Sequence, residues 1–204
     1  MRLVGLLDSP YVRRVAISLR LMELPFTHEA LSVFRNYDAF AAINPVVKAP
    51  SFVTDDGTVL MDSALILEHL ERLVAPGRSL TPQDTATHNR ALRIVGLALA
   101  ACEKSIQIVY ERNLRPPEKH HQPWIDRVQG QLEAAYRLLE QEVATAKPWI
   151  FESRPLQADI TSAVTWRFTQ DELPGVLSED RHPSLAALSA RAERMPEFLA
   201  FPPY

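Results

Sequence analysis

The chain has 204 residues, enough for one large or two small domains, with 47% hydrophobic and 23% charged residues. A net charge of -3 and an isoelectric point near 6.1 do not point to nucleic acid or an anionic membrane as a partner. The single cysteine, Cys102, excludes an intrachain disulfide and a cysteine zinc cluster.

The segment 2–7 reads as a buried strand, and a Ser-Pro step follows it. Val12, Val15, Ala16, Leu19 and Met22 then recur at helical spacing, with Arg13, Arg14 and Arg20 interleaved. The scattered arginines read as a solvated surface. Leu24-Pro25 ends the helix, and 27–31 reads as a second strand. A short helix over 35–43 stops at Asn44-Pro45. Segments 51–54 and 58–61 flank Asp55-Asp56-Gly57, a hairpin signal. A helix over 63–74 places Leu67, Leu70 and Val74 on one face. Beyond a proline-rich linker the pattern is helical only: about 83–113, about 123–146, 157–170 and 184–194. The expected fold class is α+β, a β-α-β-α-β-β-α domain over 1–76 followed by an all-α domain over 84–204. The last residues, 201–204, read as a loosely packed tail. No apolar run is long enough to span a bilayer and the N-terminus lacks a signal-peptide pattern, so a cytoplasmic protein is expected.

Three constellations stand out. The first is Ser9-Pro10-Tyr11-Val12-Arg13-Arg14. Taken alone it is an ordinary helix start, with Ser9 as N-cap and Pro10 in the first turn. A second task for Ser9, donating to a ligand thiolate, needs neighbours that bind the rest of that ligand. The second is Asn44-Pro45-Val46-Val47-Lys48-Ala49-Pro50. It reads as loop punctuation; a cis Ala49–Pro50 bond would let Ala49 pair with a bound peptide as an added strand does. The third is Asp62-Ser63 at a strand-to-helix junction. Either Ser63 only caps the helix, or Ser63 and the helix N–H groups take a carboxylate and Asp62 takes an ammonium.

Together, in this order on this β/α pattern, the three motifs resemble the glutathione transferase superfamily, most closely the bacterial members with serine or cysteine at the Ser9 position. The resemblance covers nearly the whole chain. It implies a thioredoxin-like first domain, a helical second domain on the electrophile side, glutathione as co-substrate, no metal, and a homodimer. By the same resemblance, Asp62 and Ser63 would hold the γ-glutamyl end and Ala49, before Pro50, the cysteinyl backbone. Val47 and Lys48 would shape that loop, and Arg35 or Lys48 would reach the glycine carboxylate. The sulfur would point at Ser9. Tyr11 and Tyr110 would line the pocket for a small hydrophobic electrophile held between the domains. The implied reaction is attack of the activated thiol on that electrophile.

Three departures qualify this. Ser9 is no cysteine, so thiol–disulfide exchange loses its nucleophile. Leu6-Leu7-Asp8 holds no tyrosine for a tyrosine-type site, and the Asp8 carboxylate beside Ser9 would oppose a nearby anion unless it points away or pairs with Arg13 or Arg14. In the family's (Ser/Thr)-x-x-Asp capping box, Asp159 is present but Leu156 stands where a hydroxyl is expected. Trp166 and Cys102 read as core, and His120 and His121 as solvated. Two alternatives remain open at this stage: a binding protein of the same fold with little chemistry, and glutathione-dependent peroxidase or isomerase activity.

Overall fold

The computed structural model describes every residue except Pro76, Glu152 and Tyr204. Strand β1 (Arg2–Val4) lies inside a four-stranded sheet of order β2-β1-β3-β4. Strand β2 (Thr27–Glu29) runs parallel to it, with helix α1 (Pro10–Leu21) as the crossover. Strands β3 (Ser51–Val53) and β4 (Val59–Met61) continue the sheet as an antiparallel hairpin. Helix α2 (Tyr37–Ile43) precedes β3, and helix α3 (Ser63–Glu71) follows β4. The observed order is therefore β-α-β-α-β-β-α, as the sequence predicts, and the helical half follows it.

The strands are shorter than their apolar runs. β1 stops at Val4 because Gly5 takes a φ of +139°, a turn that ends the extended run. α2 begins two residues late because Ser32 and Asn36 build a turn of their own. The Asn36 side chain accepts from the Ser32 N–H, and the Ser32 hydroxyl accepts from the N–H groups of Phe34 and Arg35.

Met1–Thr81 forms one unit together with Arg194–Tyr204, and Pro82–Glu193 forms the other. The C-terminal segment thus departs from the expected 84–204 boundary and from the expected loose tail. The reason is Arg13, which is buried and not solvated as the sequence reading had it. Its Nε donates to the Phe201 carbonyl at 2.8 Å, and its guanidinium lies 5.6 Å from the Phe198 ring centre in helix α8 (Pro196–Leu199). The Phe26 and Phe201 rings lie 5.8 Å apart. Arg14 is buried too.

The second unit contains helices α4 (Thr85–Leu114), α5 (Gln122–Val143), α6 (Gln157–Glu172) and α7 (Pro183–Ala192). Helix α6 is buried on nearly every side, from Ala158 through Trp166 and at Thr169, which makes it the core helix. Cys102 and Trp166 are buried, as expected. His120 is half-exposed, with its Nε2 2.9 Å from the Arg115 carbonyl, and His121 is exposed. At the α6 N-terminus the capping box is half built. Asp159 accepts from the Leu156 N–H at 3.0 Å, and Leu156 has no side-chain acceptor to return the bond. The other Asp159 oxygen accepts from the Ile150 N–H at 2.9 Å. Among the described residues no helix is long and apolar enough to cross a membrane.

Candidate functional site

The sheet register brings the three sequence motifs to one edge. Val4 pairs with Ser51, and Ser51 pairs with Met61, so these residues form a row across three strands. The first motif leaves the sheet just after Val4, the second enters it just before Ser51, and the third leaves it just after Met61. Strand pairing alone fixes this arrangement, since each motif is tethered within a few residues of the row.

Ser9 is the N-cap of α1. Its backbone is extended, and its Oγ accepts from the Val12 N–H at a long 3.5 Å. Its hydroxyl proton has no acceptor among the described residues. Pro10 begins the helix, where a missing N–H costs nothing. The outcome is a half-buried hydroxyl donor beside a helix N-terminus. Asp8 is exposed and forms no ion pair among the described residues, so solvent screens its charge.

Gly5 lets the first two motifs meet. A Cβ there would fall 2.6 Å from Val12 Cγ2 and 3.3 Å from the Ala49 Cβ, at a φ that L side chains rarely adopt. The carbonyl of Gly5 lies 2.8 Å from His28 Nε2. Gly5→Ala is expected to destabilise the fold by about 2–3 kcal/mol through clash and backbone strain together. A urea titration checks this, and an unchanged midpoint would contradict the close approach.

The loop before β3 is held by Asn44. Its Nδ2 donates to Ser51 Oγ at 2.9 Å, its Oδ1 accepts from the Val46 N–H, and its carbonyl accepts from the Val47 N–H. Ser51 Oγ in turn donates to the Lys48 carbonyl at 2.8 Å. This network supports a φ of +52° at Val47, an outlier for a β-branched residue. The Ala49–Pro50 bond is cis. Neither the N–H nor the C=O of Ala49 has a partner among the described residues.

At the third motif the cap is Asp62, not Ser63. Asp62 Oδ1 accepts from the Ala64 N–H at 3.0 Å, while its own φ is +72°. The cap therefore falls one residue earlier than the capping reading of Ser63. Ser63 is the first helical residue and is buried. Its Oγ accepts from Arg14 Nη1 at 3.0 Å. Lys48 Nζ lies 3.4 Å from Asp62 Oδ2 in a half-exposed ion pair that links the second and third motifs.

Arg35 stands apart: it is exposed in the Ser32–Asn36 turn and bonds to none of the other candidates. Tyr11 is half-buried in the first turn of α1. Tyr110 lies on α4 in the helical unit, 46% exposed. A cavity of about 610 Å³ in that unit, between α5 and residues 176–182, includes none of the candidates. Sequence reasoning missed Arg14 and Asn44. An arginine between helical apolar positions carries no sign of burial, and Asn44 looks like helix punctuation.

Known proteins resemble this chain in both halves. Residues 3–78 match the glutathione S-transferase N-terminal domain, and residues 122–191 the C-terminal domain. A glutathione S-transferase from Methylobacterium radiotolerans JCM 2831, solved with glutathione sulfonate, superposes with a TM-score of 0.91 at 27% identity, covering 100% of this chain and 94% of that one. A glutathione transferase family member from Pseudomonas fluorescens Pf-5, solved with bound glutathione, gives a TM-score of 0.86 at 30% identity over 100% of this chain and 98% of that one. YibF of Escherichia coli K12, an uncharacterized GST-like protein, is 29% identical over 143 residues, 69% of this chain and 68% of its own length. With both domains matched in order and a 30%-identical relative aligned over its length, the chain belongs to the glutathione S-transferase family.

Proposed function

We propose that this protein binds glutathione at the sheet edge marked by Val4, Ser51 and Met61, and activates its thiol at Ser9 for attack on a small electrophile. The observation that carries the reading is the convergence of three motifs on that row, with hydroxyl donors at Ser9 and Ser63 and an unpaired peptide edge at Ala49. Glutathione offers matching groups. Its γ-glutamyl carboxylate accepts from Ser63 and the α3 N–H groups, and its ammonium meets Asp62. Its cysteinyl backbone pairs with Ala49 beside Pro50, in a loop shaped by Val47 and Lys48. Arg35 or Lys48 meets the glycine carboxylate. Tyr11, in the first turn of α1, contacts the electrophile.

Thiol activation follows from electrostatics. A free thiol has a pKa of about 8.5 and is mostly protonated at neutral pH. The α1 N-terminus and the Ser9 hydroxyl stabilise the thiolate, and lowering the pKa by about two units corresponds to roughly 2.7 kcal/mol. The proton leaves to solvent, sulfur forms the new bond to carbon, and the leaving group departs with its electron pair. A thiol co-substrate needs a reducing compartment, which fits the cytoplasm. Exposed Val59 and Met61 on β4, Leu65 on α3 and Leu73 just beyond it support burial against a second copy in a homodimer. Sedimentation at micromolar concentration tests this, and a monomer contradicts it.

Calorimetric titration with glutathione tests the binding claim. Saturable binding at or below millimolar concentration is expected, and Ser63→Ala is expected to weaken it about 10- to 100-fold by removing a bond to a charged group. Absence of binding to the unsubstituted chain removes the reading. The screened but adjacent charge of Asp8 favours a second reading, a glutathione-binding protein with little turnover. Turnover of an aryl halide separates the two.

A further inference from the structure

An arginine inside an amphipathic helix ordinarily keeps its guanidinium in water. Arg14 is only 2% exposed, and its Nη1 donates to the Ser63 hydroxyl oxygen at 3.0 Å. Ser63 is itself only 4% exposed. We propose that Arg14 is a positioning residue of the glutathione site, holding the Ser63 hydroxyl as a donor to the γ-glutamyl carboxylate; this rests on the reading above.

A guanidinium has donors and no acceptor, so of the Ser63 hydroxyl it engages the oxygen and not the proton. The single Ser63 proton must then point away from Arg14. Among the described residues it has no acceptor. Ser63 opens the nine-residue helix α3, where free N–H groups also point outward. A group that accepts from both is a carboxylate. The cation behind the hydroxyl polarises its O–H bond and strengthens the donation in a site of low local dielectric. One helix, α1, carries Ser9 at its start and Arg14 five residues on. It therefore sets the place of the sulfur and of the distant carboxylate together.

The test is a double-mutant cycle on Arg14 and Ser63, read with two ligands: glutathione, and γ-aminobutyryl-cysteinyl-glycine, which lacks the α-carboxylate. The unsubstituted chain is expected to prefer glutathione by about 100-fold. Arg14→Gln is expected to cut that preference about tenfold by weakening glutathione alone. It should raise KM while leaving kcat at saturating glutathione within about twofold. Added to Ser63→Ala, it should change affinity by less than about twofold. Arg14→Lys, which keeps the charge and a donor group but loses the planar fork, should fall between, and it carries the cycle if Arg14→Gln does not fold. Equal weakening of both ligands, a loss in kcat at constant KM, or multiplying effects with Ser63→Ala would each overturn the inference while leaving glutathione binding intact. No glutathione binding by the unsubstituted chain would overturn the underlying reading and this inference with it.

Discussion

Ser9→Ala is expected to lower kcat/KM for an aryl halide about 3- to 25-fold near neutral pH, while glutathione affinity changes little. In the proposed site the substitution removes the Ser9 hydroxyl donor to the sulfur and leaves the α1 N-terminus in place. A hydrogen bond to a charged acceptor is worth about 1.5–3 kcal/mol, or about one to two pKa units on the bound thiol. With the bound thiol starting about two units below 8.5, its thiolate fraction at neutral pH falls about 3- to 25-fold. The direction with pH follows: the deficit shrinks as pH rises through the ordinary thiol range, because both enzymes then hold thiolate. A rate profile across that range checks this. A deficit independent of pH would mean that Ser9 acts other than by holding the anion. The loss of the cap itself costs at most about 1 kcal/mol of stability, since the Ser9 Oγ to Val12 N–H contact is long at 3.5 Å.

Asp159→Ala is expected to destabilise the chain by about 3–4 kcal/mol, the largest structural effect predicted. The carboxylate is buried and accepts from the N–H groups of Leu156 and Ile150, so its removal strands two donors away from water. Urea unfolding measures it, and a loss below about 1 kcal/mol would mean that water or another acceptor takes over. The same residue gives a pH signature. Burial pushes its carboxyl up from 3.8 to about 6, against the N–H groups of Leu156 and Ile150 that pull it down. Between these values the folded chain holds a proton that the unfolded chain has lost. Its contribution is therefore fully present below the unfolded pKa and is lost as pH rises through about 6. The stability advantage of the native residue over Asp159→Asn should shrink by about 2 kcal/mol from pH 4 to pH 7. An advantage that grows with pH would contradict the burial argument.

The path of the fold was legible because periodicity and turn residues agreed along the chain. The Ser9-Pro10 start, the hairpin at Gly57 and the helix after Asp62 all stand where the sequence puts them. What escaped was set by contacts distant in sequence. Arg13 reads as a surface cation until the Phe201 carbonyl and the Phe198 ring, nearly the whole chain away, cover it. The shift of the α3 cap from Ser63 to Asp62 has the same origin. Both residue types cap well, and Arg14 engages the Ser63 oxygen. Strand ends escaped for a local reason: apolar runs continue past the last ladder bond, and only the turn at Gly5 marks where pairing stops. The candidate site was legible as three motifs but not as one place. The row Val4–Ser51–Met61 that joins them exists only once strand order and register are known.

A crystal structure of the chain soaked with glutathione tests the central claim most directly. The account predicts the sulfur within hydrogen-bond reach of Ser9 Oγ, the cysteinyl backbone paired with Ala49, and the γ-glutamyl carboxylate on Ser63. Glutathione seated elsewhere, for instance in the cavity between α5 and residues 176–182, or bound with its sulfur turned away from Ser9, would contradict it.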